Sequence, residues 1–61
     1  MKSSELKKLL KQNGCFKDRE GTNHEIWYSP KTGKSFPVPR HGSKEIAIGT
    51  CDRILKDAGV K

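Results

Sequence analysis

No apolar run in this sequence is long enough to cross a membrane, and no apolar signal-peptide core follows Met1-Lys2. These absences point to a cytosolic chain with no membrane partner. Cysteine is nearly missing: Cys15 and Cys51 stand alone, without a CxxC pair. In a reducing cytosol two such cysteines are most often small, partly buried side chains. A zinc site would have to pool Cys15, His24, His41 and Cys51, with no closely spaced ligand pair among them, so no metal is expected. Internal repeats, linkers and low-complexity segments are absent too, which leaves residues 1–61 as one domain.

Large apolar residues are scarce. Leu6, Leu9, Leu10, Phe16, Ile26, Trp27, Tyr28, Phe36, Val38, Ile46, Ile48, Ile54, Leu55 and Val60 can fill a single thin core and nothing larger. A chain this short hides only roughly 60% of its unfolded surface. A deep pocket for a small-molecule cofactor is not expected, and any chemistry belongs on an open surface.

Acidic residues are outnumbered, seven against thirteen Lys and Arg, giving a formal net charge of +6. Such an excess either solubilises the surface or marks a polyanionic partner, whose phosphates release counterions as cations approach.

The order of elements is legible. "SSELKKLLKQNG" predicts a helix capped by Ser3 or Ser4, with Glu5 at its positive end and Gly14 as a left-handed stop. Leu6, Leu9 and Leu10 form its apolar stripe, while Lys7, Lys8 and Lys11 lie mostly away from it. "CFKDR" predicts a strand, "EGTN" a turn, "HEIWYS" a second strand and "PKTG" a second turn. "KSFPVP" predicts a third strand, placed at a sheet edge because Pro37 and Pro39 cannot donate to a ladder. Thr50 is expected to cap a final helix running to about Ala58, with Asp52 in its first turn and Gly59 past its end. Ile54, Leu55 and Ala58 supply that helix's inner stripe. The expected fold is α+β: helix–strand–strand–strand–helix, a three-stranded antiparallel sheet with two helices on one face.

Within this frame, "GTNHEIW" places a histidine between a glycine-led turn and an aromatic strand, and "FPVPRHGSKEIAIGTCDRILKDAG" completes the chain. Together with "SSELKKLLKQNG" and Phe16, these segments resemble the HicA-type toxins of bacterial toxin–antitoxin pairs over nearly the whole length. The resemblance implies a fold similar to a double-stranded RNA-binding domain. It implies cleavage of messenger RNA without a metal or other cofactor, restraint by a HicB-like antitoxin, and an essential histidine that falls on His24. Many members place a single Ser between the Gly and the His. Here Thr22 and Asn23 intervene, and the extra residue is assigned to the turn because Glu25-Ile26-Trp27 continues the pattern.

The chemistry is compatible with the residue types. RNA carries its own nucleophile, and a base that takes the 2′-OH proton lets that oxygen attack the adjacent phosphorus. Imidazole is suited to the task because it ordinarily titrates at about 6.5. Read from composition alone, His24 is a polar residue at a strand entrance; read with the resemblance, it is the base or acid. His41 could complete an acid–base pair, contact a phosphate, or be a plain loop histidine. Lys7, Lys8, Lys11 and Lys34 could bind backbone phosphates. Trp27 and Tyr28 invite base stacking, but neighbouring strand residues point to opposite faces. Trp27 is the one expected in the core. A non-catalytic RNA-binding module of the same fold is the alternative, with His24 only contacting phosphate.

Overall fold

A computed structural model describes residues 1–60 and gives the order α1 (Ser3–Gln12), β1 (Phe16–Glu20), β2 (His24–Ser29), β3 (Lys34–Pro39), α2 (Ile48–Ala58). The sheet is antiparallel with order β1-β2-β3, so β3 is an edge strand as its prolines require. The molecule measures 26 × 22 × 17 Å, room for a core one layer thick between sheet and helices.

Trp27 and Phe36 are cross-strand partners, 2% and 3% exposed, and define the face that the helices cover. Against them pack Leu6 and Leu10 of α1, Val38 of β3, and Cys51, Ile54, Leu55 and Ala58 of α2, with Cys15 and Ile46 closing the ends. Each fully buried leucine contributes about 2 kcal/mol of apolar transfer energy. Two buried serines pin the layers together. The Ser3 hydroxyl donates to the Pro39 carbonyl at 2.7 Å, and the Ser29 hydroxyl donates to Ala58, a helix-end carbonyl, at 2.8 Å.

Four expectations need correction. Neither Ser3 nor Ser4 caps α1, whose N-cap is Lys2. The Ser3 and Ser4 amides instead donate to the Lys44 and Gly42 carbonyls, at 2.9 and 3.0 Å, so a distant loop satisfies the free amides and leaves the Ser3 hydroxyl for Pro39. Glu5 does act at this end, accepting from the Lys2 amide at 2.9 Å. Thr50 does not cap α2, whose N-cap is Ala47, three residues earlier, so Asp52 lies beyond the first turn. Buried Ile46 and Cys51, joined by a thiol-to-carbonyl contact of 3.8 Å, set that start.

The first strand runs Phe16–Glu20, one residue later than expected, and carries a bulge between Lys17 and Arg19. The core is also smaller than the apolar inventory. Phe16 is 46% exposed and Ile48 80% exposed, while Ile26 and Tyr28 are only partly buried. With Trp27 turned inward, strand alternation turns Ile26 and Tyr28 outward, and Phe16 shares their face as the partner of Tyr28. Both helices end as expected at left-handed glycines, Gly14 (φ +85°) and Gly59 (φ +80°).

Candidate functional site

The β1–β2 turn delivers His24 as the first residue of β2. Its closing bond runs from the Gly21 amide to the His24 carbonyl, 2.7 Å. A Cβ on residue 21 would sit 2.7 Å from that same oxygen, closer than side chains tolerate, so the turn requires glycine. Thr22 and Asn23 are both exposed in the turn, which accommodates the extra residue while leaving the histidine at the strand entrance.

His24 pairs with Pro39, the last residue of β3. The chain therefore leaves β3 directly beside His24, and Arg40 and His41 follow at once. The 42–44 loop is held against α1 by the two amide bonds described above, and the Lys44 amide donates to the His41 carbonyl at 3.0 Å. The result is an open cleft of about 340 Å³ lined by Thr22, Asn23, His24, Pro39, Arg40, His41 and Lys44. Both imidazoles of the chain, remote in sequence, line this one cleft. Among the described residues neither imidazole has a hydrogen-bond or ion-pair partner, so both are open to a ligand.

Charged contacts brace the cleft from behind. The Arg40 guanidinium donates to the Gly21 carbonyl and lies 3.2 Å from Glu20, tying the β3 exit to the β1–β2 turn. Glu20 also accepts from Lys17 at 2.8 Å, and chiefly that bond holds its carboxyl below the usual range. Beneath His24, Glu25 accepts from the Trp27 indole at 3.0 Å and lies 3.2 Å from the Lys7 ammonium. Burial pushes the Glu25 carboxyl upward, but the bonds from Trp27 and Lys7 outweigh it and keep it below 4.5. Lys7 donates in addition to the Arg40 carbonyl at 2.8 Å, completing a path from α1 through β2 to the cleft wall.

The cations singled out from sequence are thus dispersed. Lys7 is committed to Glu25 and Arg40, with only 17% of its side chain exposed. Lys8 and Lys11 are exposed on α1. Lys34 pairs with Ser29 at the opposite end of β3, roughly 17 Å along the strand from Pro39. The two cations that line the cleft, Arg40 and Lys44, were not singled out. Their signal was the basic stretch "PRHGSK" flanking His41 directly after the edge strand. Cys15 and Cys51 are both buried in the core, and among the described residues no cluster of His, Cys, Asp and Glu is placed to hold a metal ion.

An open cleft with two unpartnered imidazoles and two cations is suited to moving protons at a phosphodiester while neutralising its charge. Residues 3–60 match the family described as the HicA toxin of bacterial toxin-antitoxin. Over 63 aligned residues, covering all of both chains, the sequence is 44% identical to the "Probable mRNA interferase HicA 2" of Photorhabdus laumondii subsp. laumondii. No solved structure matches the chain.

Proposed function

Because this chain belongs to the HicA toxin family of bacterial toxin–antitoxin systems, we propose that it is an mRNA interferase, an endoribonuclease in which His24 and His41 handle protons. The carrying observation is that His24 and His41 line the same open cleft beside Arg40 and Lys44. In the proposed reaction one imidazole takes the proton of a ribose 2′-OH. The 2′-oxygen then bonds to the adjacent phosphorus and the bond from phosphorus to the next 5′-oxygen breaks. The second imidazole protonates that leaving oxygen. The products carry a 2′,3′-cyclic phosphate and a 5′-hydroxyl.

Because the nucleophile comes from the substrate, this route calls on no metal and no cofactor. Lys44, whose ammonium has no partner among the described residues, is placed to meet the non-bridging oxygens. Arg40 is already anchored to Gly21 and Glu20 and serves first to hold the wall in position. A HicB-like antitoxin is the restraining partner.

One observation favours a second reading. A catalytic imidazole is commonly oriented by a third group, and neither histidine has one here among the described residues. On that reading the domain binds RNA without cutting it. The deciding experiment incubates purified protein with RNA and a chelator, in parallel with His24→Ala, and identifies the ends produced. Early products ending in cyclic phosphate support the nuclease. Intact RNA with wild-type protein rejects it, and equal cleavage by the variant rejects the role of His24.

A further inference from the structure

The helix-free face of the sheet carries side chains that the proposed chemistry leaves unused. On β2, Tyr28, Ile26 and His24 stand in one column at successive alternate positions. Beside them on β3 stand their partners Ser35, Pro37 and Pro39. On β1 the bulge between Lys17 and Arg19 puts Phe16 opposite Tyr28 and Arg19 opposite Ile26, so both lie on this same face. The Phe16 and Tyr28 rings are 5.7 Å apart and tilted by 55°. Phe16 is nearly half exposed, and among the described residues Arg19 has no ion-pair partner.

A small domain gains little by leaving an aromatic pair uncovered. Cross-strand packing of Phe16 on Tyr28 stabilises the β1 edge, but that alone does not call for the pair to stand on the face that leads to His24. Two of the chain's four aromatic rings lie here, roughly 13 Å along β2 from His24.

We propose that this face is a stacking platform for single-stranded RNA, which it leads into the His24 cleft. One base stacks on the Tyr28–Phe16 pair, and the strand crosses Ile26 and Pro37 to present a phosphate at His24. Arg19 meets the backbone on the way. A duplex is excluded from this mode because its bases are already stacked on one another, whereas every unpaired base offers a π-face. The net charge of +6 suits an RNA occupant better than an apolar protein surface. The inference rests on the nuclease reading only for the identity of the substrate; the platform itself is a binding surface.

The test uses a short single-stranded oligonucleotide with 2′-fluoro sugars, which lack the nucleophile, and one 2-aminopurine as a reporter of stacking. Wild-type protein should quench the reporter. Tyr28→Ile and Phe16→Thr keep β-forming residues and should lose roughly 5- to 100-fold in affinity, the range for one base–aromatic stack. Tyr28→Phe should bind within about twofold of wild type if the ring rather than the hydroxyl is used. An unlabelled duplex of the same sequence should fail to displace the labelled single strand. Wild-type affinity in both Tyr28→Ile and Phe16→Thr would overturn the proposal, as would displacement of the single strand by an equal concentration of duplex, or a loss in Tyr28→Phe as large as in Tyr28→Ile. A Tyr28→Ile variant that keeps RNA affinity but loses only its antitoxin would assign the face to a protein and also reject the platform. The nuclease reading is judged separately on ordinary RNA. Stacking without cleavage rejects the nuclease and leaves the platform; cleavage without stacking does the reverse.

Discussion

His24 and Pro39 are cross-strand partners at the end of the β2–β3 ladder, and this pairing brings the chain back to His24 as it leaves the sheet. Arg40, His41 and Lys44 reach the cleft by that route. Two imidazoles that are distant in sequence thereby line one opening.

Removing either imidazole should damage cleavage far more than stability. His24 and His41 are both exposed and have no partner to lose among the described residues. For His24→Ala a rate loss of roughly 10²- to 10⁴-fold is expected, with the melting temperature close to wild type. For His41→Ala the rate-against-pH profile should lose one limb. A His41→Ala profile that keeps both limbs would show that the second proton is handled elsewhere.

Gly21→Ala should affect both folding and function. The added methyl meets the His24 carbonyl at 2.7 Å and opens the turn that sets the strand entrance. A loss of about 1–3 kcal/mol in urea unfolding is expected, together with slower cleavage. Gly49→Ala is the control, because among the described residues nothing lies within 4 Å of a Cβ there. It should be neutral or slightly stabilising in α2.

Glu25 makes acid stability depend on the brace beneath the cleft. Its carboxyl is held below the ordinary 4.5 in the folded chain. The contribution is therefore complete above that value and is lost as pH falls through the lower folded-state value. Glu25→Gln should flatten this part of the stability curve below pH 4.5, measured by thermal melts across an acid series. Lys7→Met, which leaves a mostly buried carboxylate with the indole as its one remaining partner among the described residues, should cost about 1–3 kcal/mol at neutral pH. If Lys7→Met melts like wild type, the Lys7–Glu25 pair does not brace the cleft.

The antitoxin should act from outside, since the 42–44 loop beside the cleft is tied to α1 through the Ser3 and Ser4 amides. Association with the antitoxin encoded beside this toxin should slow with added salt, stop RNA cleavage and raise the melting temperature. Hydrogen exchange over residues 21–28 should be protected in the complex. Full inhibition without protection there would mean that the RNA path is blocked at another surface.

Much of this arrangement was legible before folding. The bounds of β2 follow from an aromatic and β-branched run between Gly- and Pro-marked turns, those of β3 from its alternating Phe36 and Val38, and the prolines of β3 dictate an edge. The stripes of α1 and α2 and their glycine ends are likewise local, because they depend on helical period and on φ at single residues. His24 as the first residue of a strand after a glycine turn belongs to the same class of statement.

Tertiary structure alone decided the rest, because each remaining feature depends on a partner far away in sequence. The cap of α1 could not be read from Ser3 and Ser4, since the carbonyls that satisfy its amides belong to Gly42 and Lys44. Lys7 looked like a free surface cation until Glu25 and the Arg40 carbonyl met it. Period-two alternation separates Trp27 from Tyr28 but does not say which faces the helices; the pairing of Trp27 with Phe36 under α2 does. The bulge in β1, invisible in "FKDRE", then decides that Phe16 and Arg19 share the open face with Tyr28. Local pattern fixes what each segment can be, whereas register and long-range hydrogen bonds choose which side chains meet.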